Sequence, residues 1–410
     1  MAGIFENDKS TIIYYQIMKK RFLIVSMCPM RGETTGITGK FLNGLCGNID
    51  KAKYDVDLFD TNFFDKKHEP DNYPVNQYFS LPIMRFENLI RKIPLVRSWY
   101  ANLLIILKFK GILRKEKYNL IVLYHTPVTS NALIKISHKH YTKVIMYPWG
   151  GEILCASKFQ RFLIQLAFNK VDFVGGSESS NCTLAAKRTY KVPDSKFRYA
   201  KQYLNSTVLI DKLRDKKTRI EMHSELNIPL ADYNIVCGYN GYPTHRHEII
   251  INSIFSNKSV LPQNYQLIFP MTYGAKESYI NQMKSLCEES GLRACFITSF
   301  ISNEQMAYLH LITDLFINIQ ESDSGNAFMI EAIYAQNRIV TGKWLGYEQF
   351  EQFGIPYHIV DKTEDLKDML FSIFNNNVDK PIVPEKLLEK YKMPADYKVG
   401  SYWTDLIDSI

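Results

Sequence analysis

The chain has 410 residues, 46% hydrophobic and 22% charged, a length beyond one ordinary core and a composition that excludes disorder and low complexity. A net charge of +8 favours polyanionic partners: nucleotide diphosphates, anionic lipid or nucleic acid. Seven scattered cysteines without a C-x-x-C pair exclude a disulfide framework and a cysteine zinc site and point to a reducing compartment. No apolar run reaches the ~18 residues that a spanning helix needs.

Met18 to Met30 has a basic start and an apolar run, in the manner of a short signal peptide. The run Phe22–Cys28 is cut by Pro29 and Arg31 and lacks a small-residue cleavage site, so a buried strand over Arg21–Met27 is expected. Gly32, Gly36 and Gly39 then open a helix. Gly39-Lys40 is followed by Phe41, so the loop is no phosphate-loop lysine motif. A second strand is expected over Asp55–Phe59, and Asp60–Ser80 reads as loop. From Arg85 to Lys117, Arg, Lys, Trp and Tyr interleave with aliphatics over two helices. That stretch is either core with solvated cations or a face for an anionic membrane.

Strands follow at Leu120–Tyr124, before His125-Thr126-Pro127, and at Val144–Tyr147, before Pro148-Trp149-Gly150-Gly151-Glu152. Both loops sit at strand carboxyl ends, so His125 and Glu152 share one sheet edge. Phe173-Val174 leads into a polar cap, and residues 206–230 read as a helix and linker. A second alternating set begins at Ile235–Cys237. Its loop, Gly238 to His247, includes Asn240 and places Arg246 and His247 at a helix N-terminus, where a diphosphate is readily neutralised. The loop is not G-x-G-x-x-G, so dinucleotide binding is not expected.

Strand Gln266–Phe269 runs into Pro270-Met271-Thr272-Tyr273-Gly274, and Cys295–Thr298 into Ser299-Phe300-Ile301-Ser302, before a helix over Asn303–Leu311. The stretch Thr313–Tyr347 is strand, polar loop, helix and strand. Asp323 and Glu331 have seven residues between them, and Gly325 and Asn326 lie at the start of the helix. Glycine there lets backbone approach a ligand. Asn337 is the expected helix stop, and a helix over Asp361–Phe374 follows.

This last pattern resembles the E-x7-E element of retaining GT-B glycosyltransferases (family 4-like), with Asp323 for the first Glu and Ser-Gly-Asn for Gly-Phe-Gly. The G-Y-N-G and P-M-T-Y-G loops are also similar to those of the 4-acetamido-4,6-dideoxygalactose transferases, and Trp149–Glu152 resembles the W-G-x-D loop of one GT-B branch. The resemblance implies an α/β fold of two Rossmann-like domains facing a cleft. They would span residues 1–205 (acceptor) and 206–396 (donor), with a helix over 397–410 crossing back. It implies a nucleotide-diphosphate sugar as donor substrate, a glycan or lipid-linked hydroxyl as acceptor, no metal or other cofactor and no nucleic-acid partner. A cytoplasmic site, peripheral on the membrane, is expected. On this pattern Asp323, Glu152 and His125 are the catalytic candidates. Arg246 and His247 face phosphate. Gly238, Asn240, Tyr273, Gly274, Gly325 and Asn326 line the donor site, Phe300 and Ile301 lie against the base, and Glu331 meets the ribose. A nucleotide-sugar epimerase on the same scaffold and a degenerate, non-catalytic binding protein are the competing readings.

Overall fold

The computed structural model describes residues 19–26, 49–61, 75–81, 94–124, 129–148, 150–178, 180–199, 204–323, 327–351, 354, 357–376, 382–394, 404, 407–408 and 410. His125, Gly325, Asn326, the glycine loop at 32–39 and most of 397–410 therefore lie outside the described residues.

Strands β1 (Lys20–Ser26), β2 (Tyr54–Asp60), β3 (Gln77–Ser80), β4 (Leu120–Tyr124), β5 (Lys143–Tyr147), β6 (Phe173–Gly176) and β7 (Phe197–Tyr199) form one sheet in the order β3-β2-β1-β4-β5-β6-β7. Strands β8 (Tyr233–Cys237), β9 (Tyr265–Pro270), β10 (Ala294–Ile297), β11 (Leu315–Asn318), β12 (Arg338–Gly342) and β13 (His358–Val360) form a second, in the order β10-β9-β8-β11-β12-β13. The pairs are parallel, as connection through helices requires. The chain divides into two compact units, residues 1–123 with 132–144, and residues 124–131 with 145–410.

The second sheet shows why its strands read as unbroken apolar runs rather than alternating ones. Successive side chains point to opposite faces, and helices cover both. Val236, Ile268, Phe316 and Ile339 pack into one core, with side chains from helices α5 (Asn205–Leu213), α6 (Arg219–Glu225), α9 (Asn303–Ile312) and α10 (Ala327–Tyr334). Their neighbours Ile235, Cys237, Leu267, Phe269, Leu315, Ile317 and Val340 pack into the other. There the covering helices are α7 (His247–Phe255), α8 (Glu277–Glu289) and α11 (Leu366–Asn375). Helix starts follow local chemistry. Ser157 with Gln160, Thr218 with Glu221 and Ser302 with Gln305 close reciprocal capping boxes, satisfying N–H groups that a first turn leaves unpaired.

Several expectations are corrected. Residues 60–80 hold an edge strand, β3, and β7 and β13 are also additional; each is a short edge strand that mixes polar with apolar side chains and so lacks a buried apolar run. Residues 206–230 are two helices, α5 and α6. Asn337 is not the residue that stops α10. Gln336 takes the left-handed conformation (φ 64°), while the buried Asn337 side chain donates to the His310 and Thr313 carbonyls at 2.8 and 2.9 Å.

Helix α1 (Pro94–Lys115) buries Ile105, Phe109, Ile112 and Leu113 and exposes Trp99, Leu103 and Leu107 at 81, 52 and 56%. The exposed three are spaced by four residues, so they form one stripe away from the core. Among the described residues, no helix is long and apolar enough to cross a membrane.

Phe316 is fully buried on β11, 4.9 Å between ring centroids from Phe328 of α10. Phe316→Ala should lower unfolding stability by about 3–5 kcal/mol, read as a lower denaturation midpoint in urea with an unchanged slope.

Candidate functional site

Parallel strands bring the loops after β8, β11 and β12 to one edge of the second sheet, because these three strands are neighbours. The loops are then tied directly. The Glu321 N–H donates to the Thr244 carbonyl at 3.0 Å, Arg246 Nη1 to the Ile319 carbonyl at 3.3 Å, and Trp344 Nε1 to the Gln320 carbonyl at 2.7 Å. The Tyr239 hydroxyl reaches Gln320 Oε1 at 3.2 Å.

The first loop begins at Gly238, whose φ of 68° is left-handed. A Cβ there would come within 3.0 Å of ring nitrogens of both His245 and His247. The histidines stack 5.7 Å apart and are buried. Burial pushes both down, His245 to about 3 with the help of its neighbour and His247 to about 4. Burial thus favours the neutral ring in both, His247 included. The His247 Nδ1 pairs with the Tyr279 hydroxyl at 3.1 Å. The positive charge of this loop is Arg246, a half-buried residue in the left-handed conformation (φ 59°) at the N-cap of α7. Its guanidinium carbon lies 5.2 Å from the centre of the Trp344 ring. Asn240 is buried; its Oδ1 accepts from the Tyr242 N–H at 2.9 Å and its Nδ2 lies 3.5 Å from the Tyr273 hydroxyl. Gly274 (φ 89°) sits against the Tyr242 ring, with no room for a side chain. The glycines of these two loops thus let the backbone pack closely against His245, His247 and Tyr242.

Asp323 ends the described part of the second loop. It is buried, and its carboxylate accepts a hydrogen bond from the Tyr347 hydroxyl. That hydroxyl oxygen accepts from Asn318 Nδ2 at 2.6 Å, so its proton is directed at Asp323. Burial and the adjacent carboxylate push the Tyr347 hydroxyl well up, so it stays protonated. Helix α4 (Asn181–Arg188) also reaches this place: Asn181 Nδ2 donates to the Asp323 carbonyl at 2.8 Å and the Leu345 carbonyl at 2.7 Å. The buried Cys182 thiol, next in that helix, is pushed well up by burial and by the charges of Glu152 and Asp323. One side chain thus senses both carboxylates, which lie far apart in sequence. Glu152 accepts from the Gly150 N–H at 3.0 Å, in the helical turn Gly151–Leu154.

Glu331 stands elsewhere in the network. Ser206 of α5 donates to one oxygen, and His310 Nε2 of α9 lies 3.0 Å from the other. It is a buried node joining three helices, with both oxygens partnered inside the protein. Phe300 is half exposed, whereas Ile301 is buried in the core with Phe328. The sequence reading missed Trp344, Tyr347, Asn318, Gln320 and Asn181. The only signal was an aromatic pair in a loop after a strand, a pattern too common to be informative.

No protein-family model matches the chain, and no curated protein matches it. Solved structures do. Anabaena HepE in complex with UDP and glucose aligns over 95% of this chain and 100% of its own, at 12% identity and a TM-score of 0.60. The lipopolysaccharide outer core galactosyltransferase WaaB, apo form, aligns over 95% and 99%, at 11% identity and 0.60. Sucrose-phosphate synthase of Thermosynechococcus elongatus aligns over 95% and 94%, at 14% identity and 0.57. The fold is GT-B. The two parallel sheets with alternating helices are its two Rossmann-like sets, and the loop cluster described above lies at the carboxyl edge of the second.

His245 and His247 give a pH signature. Their folded values lie below the ordinary 6.5, so the unfolded chain binds more protons as pH falls. The stability they contribute is complete above about pH 6.5. It is lost as pH falls toward about 4, each site adding a slope of up to ~1.4 kcal/mol per pH unit. Urea unfolding from pH 7 to 4.5 should show that decline, and His247→Gln should make it shallower.

Proposed function

We propose that the chain is a glycosyltransferase that moves a sugar from a nucleotide-diphosphate donor to a hydroxyl of a glycan or lipid-linked acceptor, in the synthesis of a cell-surface polysaccharide. The observation that carries this reading is the meeting, in one set of tied loops, of an arginine at a helix N-terminus and a fixed carboxylate, Arg246 and Asp323. The likeness to HepE, whose solved complexes contain UDP and UDP-glucose, supports the donor class. Within this reading residues 1–205 form the acceptor domain, 206–396 the donor domain and 397–410 the returning helix.

Bond cleavage leaves a nucleoside diphosphate, so the protein's main task is to stabilise the developing negative charge on its oxygens. Arg246 and the first N–H groups of α7 supply fixed positive charge and dipole for that. Asp323 accepts hydrogen bonds from sugar hydroxyls, its plane set by Tyr347. His247, neutral, contributes shape and a hydrogen bond rather than charge. Glu152 and His125 are the candidates for the acceptor hydroxyl. This reading requires no metal.

The test is a thermal-shift series with UDP, GDP and dTDP, with and without Mg2+, on wild type and Arg246→Ala. A ligand that binds only the folded chain raises the midpoint. One nucleotide should raise it without Mg2+, and Arg246→Ala should abolish most of the rise. No rise with any of the three would sink the reading. Glu331→Ala is a poor probe, because it removes a buried node and lowers the midpoint by itself.

The contact with membrane is a second part of the proposal. Helix α1 has no acidic residue in its sequence, ends in Arg114 and Lys115, and turns Trp99, Leu103 and Leu107 outward. Apolar side chains with flanking cations suit an anionic lipid surface, where tryptophan sits at the interface. The protein should co-sediment with phosphatidylglycerol vesicles at low salt and much less with phosphatidylcholine. Trp99→Ser with Leu103→Ser should remove most of that binding; equal binding by the double variant would rule out this face.

A further inference from the structure

The loop after β12 holds no residue that the sequence pattern assigned to the donor site, yet it supplies the surface on which Arg246 rests. Trp344 lies flat against its own strand end: a Cβ on Gly342 would come within 2.3 Å of the indole, so only glycine permits this packing. Its Nε1 is held by the Gln320 carbonyl at 2.7 Å, which fixes the rotation of the ring. With the ring immobilised, the guanidinium of Arg246 sits 5.2 Å from its centre. Its Nη1 lies 3.3 Å from the Ile319 carbonyl, at the end of β11. The Arg246 backbone is itself confined, in the left-handed conformation at the N-cap of α7.

An arginine side chain has many rotamers, and a phosphate-binding one is useful only where its fork is held in place before the ligand arrives. An aromatic face holds a guanidinium by attraction to the ring quadrupole while leaving the N–H edges free to bond. A carboxylate partner would hold it equally well, but would cancel the charge that an anion needs. Among the described residues no salt bridge to Arg246 is present, and the aromatic plate takes that place.

We propose that Trp344 is a positioning residue of the donor site, a fixed aromatic plate that pre-orients Arg246 toward the diphosphate of the nucleotide. The proposal rests on the donor-site reading above and extends it to a residue outside any recognised motif. It also assigns Gly342 a role, as the position that lets the plate lie close.

The experiment is a double-mutant cycle on nucleotide affinity, by calorimetry on the full chain with UDP, GDP and dTDP. Trp344→Leu should weaken the best-bound nucleotide about five- to tenfold. In the Arg246→Ala background the same change should alter affinity by less than about twofold, because the group it positions is gone. Trp344→Phe, which keeps a π face, should retain most of the affinity. Trp344→Met, of similar bulk without one, should not; this pair also serves if Trp344→Leu fails to fold. Equal loss in both arginine backgrounds, or no loss in Trp344→Leu, would overturn the positioning role while leaving the donor-site reading intact. If wild type binds none of the three nucleotides, the donor-site reading falls and this inference falls with it.

Discussion

Adjacency of β8, β11 and β12 is the constraint on which the site depends. In a parallel sheet every strand presents its carboxyl end on the same edge, so neighbours in the sheet must have neighbouring loops. Residues 238–247, 319–323 and 342–347 are far apart in sequence and meet for that reason alone. The hydrogen bonds among them run mostly from side chain or backbone to backbone carbonyls, Thr244, Ile319 and Gln320 among them. The Ile319 and Gln320 carbonyls stand just past the end of β11, where the sheet no longer supplies a partner, and the Thr244 carbonyl lies in a helical turn of the first loop. The same bonds that satisfy the strand ends therefore position the charged side chains.

Among the described residues Arg246 has no salt-bridge partner. Arg246 is held by an aromatic ring and a carbonyl, Asp323 by a tyrosine hydroxyl, and the two histidines beside them are kept neutral by burial. An aromatic ring and a carbonyl leave the arginine its full charge. Glu331 illustrates the other use of a carboxylate. Paired with Ser206 and His310, it joins α5, α9 and α10 and belongs to the architecture of the second sheet's cover.

Much of the fold was legible because long buried strands and capped helices are local. Leu120–Tyr124 and Leu315–Asn318 are apolar runs of strand length, and Ser302 with Gln305 closes a capping box at the first turn of α9. The short edge strands β3, β7 and β13 were not legible, since their few residues mix polar with apolar side chains and form no apolar run. Of the loop cluster, the sequence singled out the loops and, within them, Arg246, Asp323 and Asn240. The charge state of His247 was not legible, because desolvation is set by neighbours such as Phe269 and Tyr279 that the sequence does not place. Nor was the internal pairing of Glu331, whose partners come from helices 125 and 21 residues away.

By itself the sequence determined the order of the well-buried strands and their helices, the polar loops at strand ends and the two-set α/β plan. These follow from apolar period, turn residues and caps, which act over a few positions. Only the tertiary structure decided which loops meet, which histidines are neutral, and that Trp344 and Tyr347 support the two charged groups. Those outcomes depend on strand order and burial, and both are properties of chain segments brought together from a distance.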